Sequence, residues 1–248
     1  MKSSTLNTKG FKFKQFSIEG GQSGMPVSTD GVLLGAWAFQ HELSQIASSL
    51  PITHILDIGT GTGLLALMCA QRFPHAQIQA IDIDEHAYRS AQINISQSPW
   101  AGRIVLEQVD VLNITNSKTF DAIICNPPYF NDGEQSQHAQ RATARHTKTL
   151  EHKQLINITY QLLSETGTAS FILPITEGEQ FIELAKKSGF YLSRLCKVQP
   201  TPNKPISRVL FELKKEPIDI EESTLIIRDD LGYTQAFIEL TRSFYLKM

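Results

Sequence analysis

The amino-acid sequence predicts an α/β fold in which seven strands form one mostly parallel sheet with helices on both faces. From residue 52 onward, short apolar runs alternate with longer amphipathic stretches, a pattern typical of repeated βαβ units. A glycine-rich turn follows the first apolar run and opens the first amphipathic stretch. No apolar run reaches the about 18 residues that a membrane span needs. These observations favour one domain over 51–248, preceded by an N-terminal extension over 1–50.

The individual strands and helices follow from the same alternation. The predicted strands cover 52–58, 78–82, 103–110, 120–126, 167–174, 191–198 and 206–214. The predicted helices cover 64–73, 84–98, 150–165, 178–188 and 233–246. Gly167 is expected to end the helix 150–165, and Gly189 the helix 178–188. A short turn joins the last two strands, so the last strand is predicted to be antiparallel. If the first five strands have the order 3-2-1-4-5, strands one and four flank the point where such sheets bind ligands.

The charge distribution is uneven although the net charge is only −2. The small net charge argues against a protein that coats nucleic acid. Residues 1–18 nevertheless carry four lysines and no acid, and residues 185–215 carry eight basic residues against Glu212 alone. Segregated charge of this kind can give a nearly neutral protein one positive face.

The cysteines and histidines suggest neither disulfides nor a metal site. The three cysteines are far apart, and Cys69 and Cys125 lie in apolar runs where we expect them to be buried. Such cysteine usage suits a reducing cytoplasm, and the basic N-terminus lacks the apolar stretch of a secretory signal. The seven histidines match no ligand spacing, so no metal is expected.

A glycine-rich turn with an acidic residue before it marks the first predicted ligand site. The segment Asp57-Ile-Gly-Thr-Gly-Thr-Gly63 has GxGxG spacing, unlike the GxGxxG of dinucleotide binders. A carboxylate at the mouth of this turn repels pyrophosphate but suits a cationic sulfonium or an amino group. Asp82 and Asp110 end the next two strands, where they can bind ribose hydroxyls and an adenine amino group. Each acid alone could simply cap the following helix, but the three together predict an S-adenosylmethionine site.

A second predicted site follows the fourth strand, where the sequence reads Asn126-Pro-Pro-Tyr129. Two prolines can simply end a strand, but the flanking asparagine and tyrosine fit the methylation of a planar amino group. The side-chain oxygen of Asn126 and the carbonyl of Pro127 can each accept one N–H of that group. Pro127 and Pro128 stiffen the backbone, and Tyr129 can stack on the ring. No strong general base is needed, because the proton can leave after the transfer.

With these residues identified, the chain resembles the class I methyltransferases, which have a Rossmann-like fold, and within them the bacterial valine-tRNA adenine-N6 methyltransferase family. The resemblance runs nearly end to end. The resemblance rests on the glycine-rich turn and on the Asn-Pro-Pro-Tyr motif, which Arg141 and Arg145 follow. It also rests on the segments 11–16, Thr29–Trp37, 94–100 and 244–246. The segments Thr29–Trp37 and 97–100 are far more specific than the glycine motif.

The resemblance implies methylation of N6 of the adenosine immediately 3′ of the anticodon, at position 37, in a valine tRNA. It also implies S-adenosylmethionine as cofactor and the cytoplasm as location. The implied cofactor residues are Asp57, Gly59, Gly61, Gly63, Asp82, Asp110 and Asn126, with Lys14, Gln15, Phe16, Thr29 and Asp30 of the extension closing over them. The implied target residues are Asn126, Pro127, Pro128 and Tyr129. Asp82 stands where relatives carry Glu, and either acid can bind a ribose.

Three basic segments can contact the tRNA backbone, namely the N-terminus, the loop 135–153 and the stretch 185–215. The loop follows the target motif directly, so Arg141, Arg145 and Lys148 are the predicted contacts nearest the methylated nucleotide. The alternative is that both arginines only brace the following helix. No obligate protein partner is indicated.

Other functions fit parts of the sequence. Glutamine-N5 methyltransferases acting on proteins share the Asn-Pro-Pro-Tyr motif, because a glutamine amide is also a planar NH₂ group, but they carry a longer N-terminal domain. DNA adenine methyltransferases usually need an added recognition domain, for which this chain has little room. A non-catalytic RNA-binding protein on the same scaffold is a further alternative, against which the intact motif argues. The GxGxG spacing disfavours a nicotinamide dehydrogenase.

Overall fold

Strands and helices alternate along the chain in the computed structural model, which describes residues 10–19, 27–40, 51–114, 119–127 and 151–247. The strands are β1 (Phe11–Lys12), β2 (Ser17–Ile18), β3 (His54–Ile58), β4 (Gln77–Asp82), β5 (Ile104–Gln108), β6 (Phe120–Cys125), β7 (Leu163–Pro174), β8 (Tyr191–Gln199), β9 (Arg208–Lys214), β10 (Glu221–Ile226), β11 (Arg228–Asp229) and β12 (Gly232–Tyr233). The helices are α1 (Thr29–Trp37), α2 (Leu64–Arg72), α3 (Glu85–Ser96), α4 (151–162), α5 (Ile175–Lys187) and α6 (Gln235–Thr241).

The large sheet has the strand order β10-β8-β9-β7-β6-β3-β4-β5. The predicted order 3-2-1-4-5 is confirmed, because β5, β4, β3, β6 and β7 are neighbours and all pair in parallel. The predicted antiparallel strand is β9, which lies between β7 and β8 and runs against both. The sheet has eight described strands rather than seven. The prediction missed β10, a largely exposed edge strand that pairs in parallel with β8 and lacks an apolar pattern.

Helices cover both faces of the sheet, as predicted, and each face has its own apolar cluster. One cluster joins α1, α2, α3 and α6 to the sheet, and the other joins α4 and α5 to the opposite face. Cys69, Cys125 and Cys196 are all buried free thiols, and burial raises the pKa of Cys69 to about 12. None of the described helices combines the length and apolar character that crossing a membrane requires.

Two predicted helix boundaries were wrong because tertiary pairing continues past them. The helix expected to end at Gly167 ends at residue 162, and Leu163 already pairs with Phe120 in the sheet. Gly167 therefore lies within β7, where an added Cβ would come within 2.8 Å of the Leu163 side chain. The terminal helix covers only Gln235–Thr241, and Tyr245 pairs with Phe13 instead of continuing the helix. Gly189, with φ of +96°, follows the end of α5 as predicted.

The described parts of the N-terminal extension pack into the main core. Phe13 and Phe16 are 1% and 6% exposed, and burying one such ring contributes about 1.5–3 kcal/mol. The backbone N–H of Lys14 donates to the carbonyl of Phe244 over 2.8 Å. Helix α1 is buried from Gly31 to Trp37 and packs mainly against α2 and α6. The extension is thus held by the same apolar cluster as the sheet.

Candidate functional site

A cavity of about 600 Å³ opens at the carboxyl ends of the four adjacent parallel strands β5, β4, β3 and β6. We call the part lined by Ile58, Gly59, Gly61, Ile81, Asp82, Ile83, Asp84, Ala87, Val109, Asp110 and Val111 the glycine-turn half. We call the part lined by Cys125, Asn126, Pro127, Glu151, His152 and Leu155 the Asn126 half. The two halves meet between β3 and β6, which is where the predicted strand order puts a ligand crevice.

The glycine-rich turn between β3 and α2 has a left-handed backbone at all three glycines. Gly59 and Gly61 have φ of +68° and +59°, and both line the cavity. An added Cβ at either position would meet no protein atom within 4 Å, so the requirement there is conformational. Gly63 lies away from the cavity as the N-cap of α2, with Ala91 and Ile95 close to it. The turn therefore brings backbone rather than side chains to the cavity wall.

Asp57 lies behind this turn rather than at its mouth. Its carboxylate is fully buried, and Oδ2 accepts from the Thr60 hydroxyl over 2.6 Å and from the Ala66 N–H over 2.9 Å. Burial raises the pKa of Asp57 to about 7, although these two hydrogen bonds oppose the rise. Its observed contacts hold the turn and the first residues of α2, and Asp57 does not line the cavity. A direct contact between Asp57 and a cofactor stays a prediction.

Asp82 and Asp110 both line the glycine-turn half. One carboxylate oxygen of Asp82 accepts from the Gly61 N–H over 2.8 Å and the other from the Asp84 N–H over 2.9 Å. Asp110 lies two residues beyond the end of β5 and accepts from the Leu112 N–H over 3.0 Å. The capping role considered as an alternative thus exists at Asp110, and the residue still lines the cavity. Each carboxylate oxygen has a second lone pair with which it can bind a ligand.

Asn126 presents a buried polar atom with no partner in the described part of the chain. Its side-chain Oδ1 is inaccessible and accepts no hydrogen bond there, and Asn126 and Pro127 both line the cavity. An unsatisfied buried acceptor costs about 1–3 kcal/mol, so a ligand that donates an N–H would be favoured here. Five other predicted residues lie outside the described residues, namely Pro128, Tyr129, Arg141, Arg145 and Lys148.

The five residues of the extension that were predicted to close over the cofactor do not line this cavity. The Lys14 ammonium donates to the carbonyl of Arg242, and Phe16 stacks on Phe13. Asp30 forms an ion pair with Arg208 over 2.8 Å at the start of α1. The closing role of Lys14, Gln15, Phe16, Thr29 and Asp30 stays a prediction.

Several cavity residues were missed by the sequence analysis. Ile83 is 67% exposed directly after Asp82, and the signal in the sequence was an isoleucine between two aspartates at the end of a strand. Glu151, His152 and Leu155 come from the first turns of α4, and nothing in the sequence indicated that they approach Asn126. The His152 ring packs edge-on against Phe181, with 5.2 Å between the ring centroids.

The basic stretch 185–215 carries less free charge than its composition suggested. At least five of its eight basic side chains lie within ion-pair distance of a carboxylate, namely Lys186, Arg194, Lys197, Arg208 and Lys215. Arg194 is also buried and stacks on Trp37, with its guanidinium carbon 4.2 Å from the ring centroid. Within the described ranges, no group of three or more His, Cys, Asp or Glu side chains could hold a metal.

Comparison with known proteins gives consistent matches. The family model of the methyltransferase small domain matches residues 34–164. A tRNA1(Val) (adenine(37)-N6)-methyltransferase from Vibrio campbellii is 59% identical over 248 residues, covering 100% of both chains. A protein of the same name from Aliivibrio fischeri is 52% identical over 241 residues, covering 97% of this chain and 99% of its own. The crystal structure of a predicted O-methyltransferase from Agrobacterium tumefaciens superposes with a TM-score of 0.66 at 18% identity, over 87% of this chain and 96% of its own, which is a likeness of fold.

Proposed function

This chain belongs to the family of tRNA1(Val) (adenine(37)-N6)-methyltransferases, and from that premise we propose that it transfers the methyl group of S-adenosylmethionine to N6 of adenosine 37 in a valine tRNA. The observation that carries the proposal is the buried, unpartnered amide oxygen of Asn126, which shares one cavity with the strand-end carboxylates of Asp82 and Asp110. Methyl donor and acceptor can therefore meet between β3 and β6.

The glycine-turn half fits the adenosyl part of the cofactor. We assign the ribose hydroxyls to Asp82 and the adenine amino group to Asp110, because each carboxylate keeps free lone pairs. Ile83 and Val111 offer apolar side chains to the adenine ring. When bound, S-adenosylmethionine supplies an electrophilic methyl group on a cationic sulfur. Gly59 and Gly61 leave the space that a ligand against the turn requires.

The Asn126 half fits the amino group that is methylated. The Asn126 side-chain oxygen and the Pro127 carbonyl each accept one N–H of the exocyclic amine, which directs its lone pair along the line of the departing sulfur. The nitrogen lone pair forms the new N–C bond, the S–C bond breaks, and the extra proton on nitrogen then leaves to water. Tyr129 is assigned to stacking on the adenine ring, and Pro128 to stiffening the backbone between them.

The tRNA must present its base outside the stacked loop, because a base inside the stack cannot enter the cavity. We assign the contacts with the tRNA backbone around that base to Arg141, Arg145 and Lys148, which follow the target motif in the sequence. The ion pairs along 185–215 make that stretch a weaker candidate. A tRNA substrate also implies that the protein works in the cytoplasm.

The substrate is tested with in vitro transcripts of valine tRNA that differ only at position 37. The transcript with adenosine should gain N6-methyladenosine, detected by mass spectrometry of its nucleosides, and the transcript with guanosine should gain none. A release-factor peptide with a target glutamine is the second substrate, because it tests the glutamine alternative. Equal methylation of that peptide, or methylation of the guanosine transcript, would contradict the proposed function.

A further inference from the structure

Asn94 in α3 connects the N-terminal extension to the glycine-rich turn. Its side chain is 1% exposed and makes two hydrogen bonds to distant parts of the chain. The amide Nδ2 donates to the Thr62 carbonyl over 2.9 Å, and Oδ1 accepts from the Glu19 backbone N–H over 2.8 Å. Thr62 is flanked in the turn by Gly61 and Gly63. One buried amide therefore holds two segments that are separated by more than forty residues.

The surroundings of Asn94 reinforce both connections. Ala91 and Ile95, which also face the turn from α3, lie in van der Waals contact range of a Cβ built at Gly63. On the side of the extension, Ile18 is buried, and Phe16 packs edge-on against Trp100 with 5.9 Å between ring centroids. Asn94 thus lies where the docked extension and the turn approach the same helix.

Two peptide groups of the turn are held by side chains from different elements. The Gly61 N–H donates to Asp82, whereas the Thr62 carbonyl accepts from Asn94. Glycine backbones have more conformational freedom to lose than other residues, so these bonds restrict a segment that has no side chains to anchor its glycines. Loss of the Asn94 bond would leave the Thr62 carbonyl without this donor, although the Gly63 N–H of the same peptide still donates to the Thr60 carbonyl. We expect the weakened peptide to disturb the position of Gly61 against Asp82.

We propose that Asn94 is a positioning residue through which docking of residues 10–19 sets the affinity of the glycine-rich turn for S-adenosylmethionine. The inference rests on the proposed cofactor site, and Asn94 itself does not line the cavity. Because Asn94 acts through the turn, its loss should weaken cofactor binding and leave the rate at saturating cofactor nearly unchanged.

The experiment measures the dissociation constant of S-adenosylmethionine by isothermal titration with full-length variants. Asn94→Ala should bind about tenfold to a hundredfold more weakly, because it leaves the buried Thr62 carbonyl and the part-buried Glu19 N–H without these partners. Glu19→Pro removes the N–H that donates to Asn94 and should weaken binding several-fold. Glu19→Ala is its matched control, because it keeps that N–H and changes only an exposed side chain, so its affinity should equal that of the unaltered chain.

Ser193→Ala controls for a general loss of stability. It removes a buried hydroxyl that donates to the Glu212 carbonyl over 3.1 Å between β8 and β9, neither of which lines the cavity. This variant should melt at a lower temperature and bind the cofactor with unchanged affinity. The double variant of Asn94→Ala and Glu19→Pro should bind no more weakly than Asn94→Ala alone, because both changes break one connection.

Three outcomes would overturn the inference. The first is an Asn94→Ala variant that melts earlier but keeps its affinity, since Asn94 would then act on stability alone. The second is unchanged affinity in Glu19→Pro, which tests the same connection even if Asn94→Ala does not fold. The third is a lowered rate at saturating cofactor with unchanged affinity in Asn94→Ala. A complete lack of cofactor binding in the unaltered chain would instead contradict the proposed function on which the inference rests.

Discussion

In the glycine-turn half the carboxylates of Asp82 and Asp110 already accept backbone hydrogen bonds, whereas in the Asn126 half the amide oxygen of Asn126 accepts none from the described residues. The hydrogen bonds at Asp82 and Asp110 therefore hold the glycine-turn half in shape without a ligand. The amide oxygen of Asn126 still needs a hydrogen-bond donor, which the described residues do not supply. We therefore expect changes in the glycine-turn half to alter cofactor affinity and changes at Asn126 to alter the rate of transfer.

The largest expected effect belongs to Asn126→Ala. Removing an acceptor that positions the reacting amine should lower turnover about 10²–10³-fold, by analogy with deletions of a single oxyanion-hole donor. Cofactor affinity should change little, because the donor lies in the other half. Single-turnover methyl transfer and calorimetry measure the two quantities separately. Asn157→Ala is the matched control, since it makes the same change at an exposed position of α4. Near-normal turnover in Asn126→Ala would mean that the amine is held elsewhere.

The double variant Arg141→Glu with Arg145→Glu should show the next largest effect. If both arginines face the tRNA backbone, kcat/KM for tRNA should fall about a hundredfold, and its dependence on salt should become shallower. Calorimetry should show unchanged cofactor affinity. Lys186→Glu with Lys197→Glu makes the same change in net charge at two side chains that already have carboxylate partners, and it should have a small effect. Equal losses in both double variants would indicate a response to overall charge rather than to these two contacts.

Asp82→Asn should weaken S-adenosylmethionine binding about tenfold, because a charged acceptor for a ribose hydroxyl becomes neutral. The effect is smaller than a full deletion, since the asparagine oxygen can still accept one hydrogen bond. Asp121→Asn is the control, because Asp121 also accepts backbone N–H bonds, from Thr53 and His54, but lies at the start of β6, away from the cavity. Calorimetry should find normal affinity in that control. Equal loss of affinity in both variants would argue against a contact at Asp82.

The smallest expected effect concerns pH and Asp57. Its pKa is raised from 3.8 to about 7 in the folded chain, so its contribution to stability is complete below about pH 4 and is lost as the pH rises through 7. Asp57→Asn lacks this titration. Between pH 6 and pH 7 the free energy of unfolding of the unaltered chain should therefore fall by about 1 kcal/mol relative to that of Asp57→Asn. Thermal unfolding of both at each pH measures this shift, and parallel pH profiles would rule it out.

The strands that form the centre of the fold could be predicted from sequence because they are apolar and separated by amphipathic helices. Strand β10 could not, because four of its six residues are exposed and its pairing with β8 is visible only in three dimensions. The predicted end of α4 was also wrong, because Leu163 pairs with Phe120 in the sheet instead of continuing the helix. Glycine commonly ends helices, but Gly167 lies within β7, where an added Cβ would come within 2.8 Å of the Leu163 side chain.

Candidate site residues could be predicted from the sequence where they directly follow a predicted strand. Asp82, Asp110 and Asn126 were predicted because each follows an apolar run, and all three line the cavity. Asp57 was found by the same rule, yet it supports the turn from behind, a distinction that depends on side-chain direction. Glu151 and His152 could not be predicted, because their place in the cavity wall depends on how α4 packs against the sheet.

Both halves of the cavity are expected to serve one reaction, the N6-methylation of adenosine 37 in a valine tRNA. The decisive experiment is nucleoside mass spectrometry of valine tRNA purified from cells that lack the gene and from the same cells supplied with the normal or the Asn126→Ala gene. We expect N6-methyladenosine only with the normal gene, and a trace at most with Asn126→Ala. An equal amount of N6-methyladenosine with and without the gene would contradict this function.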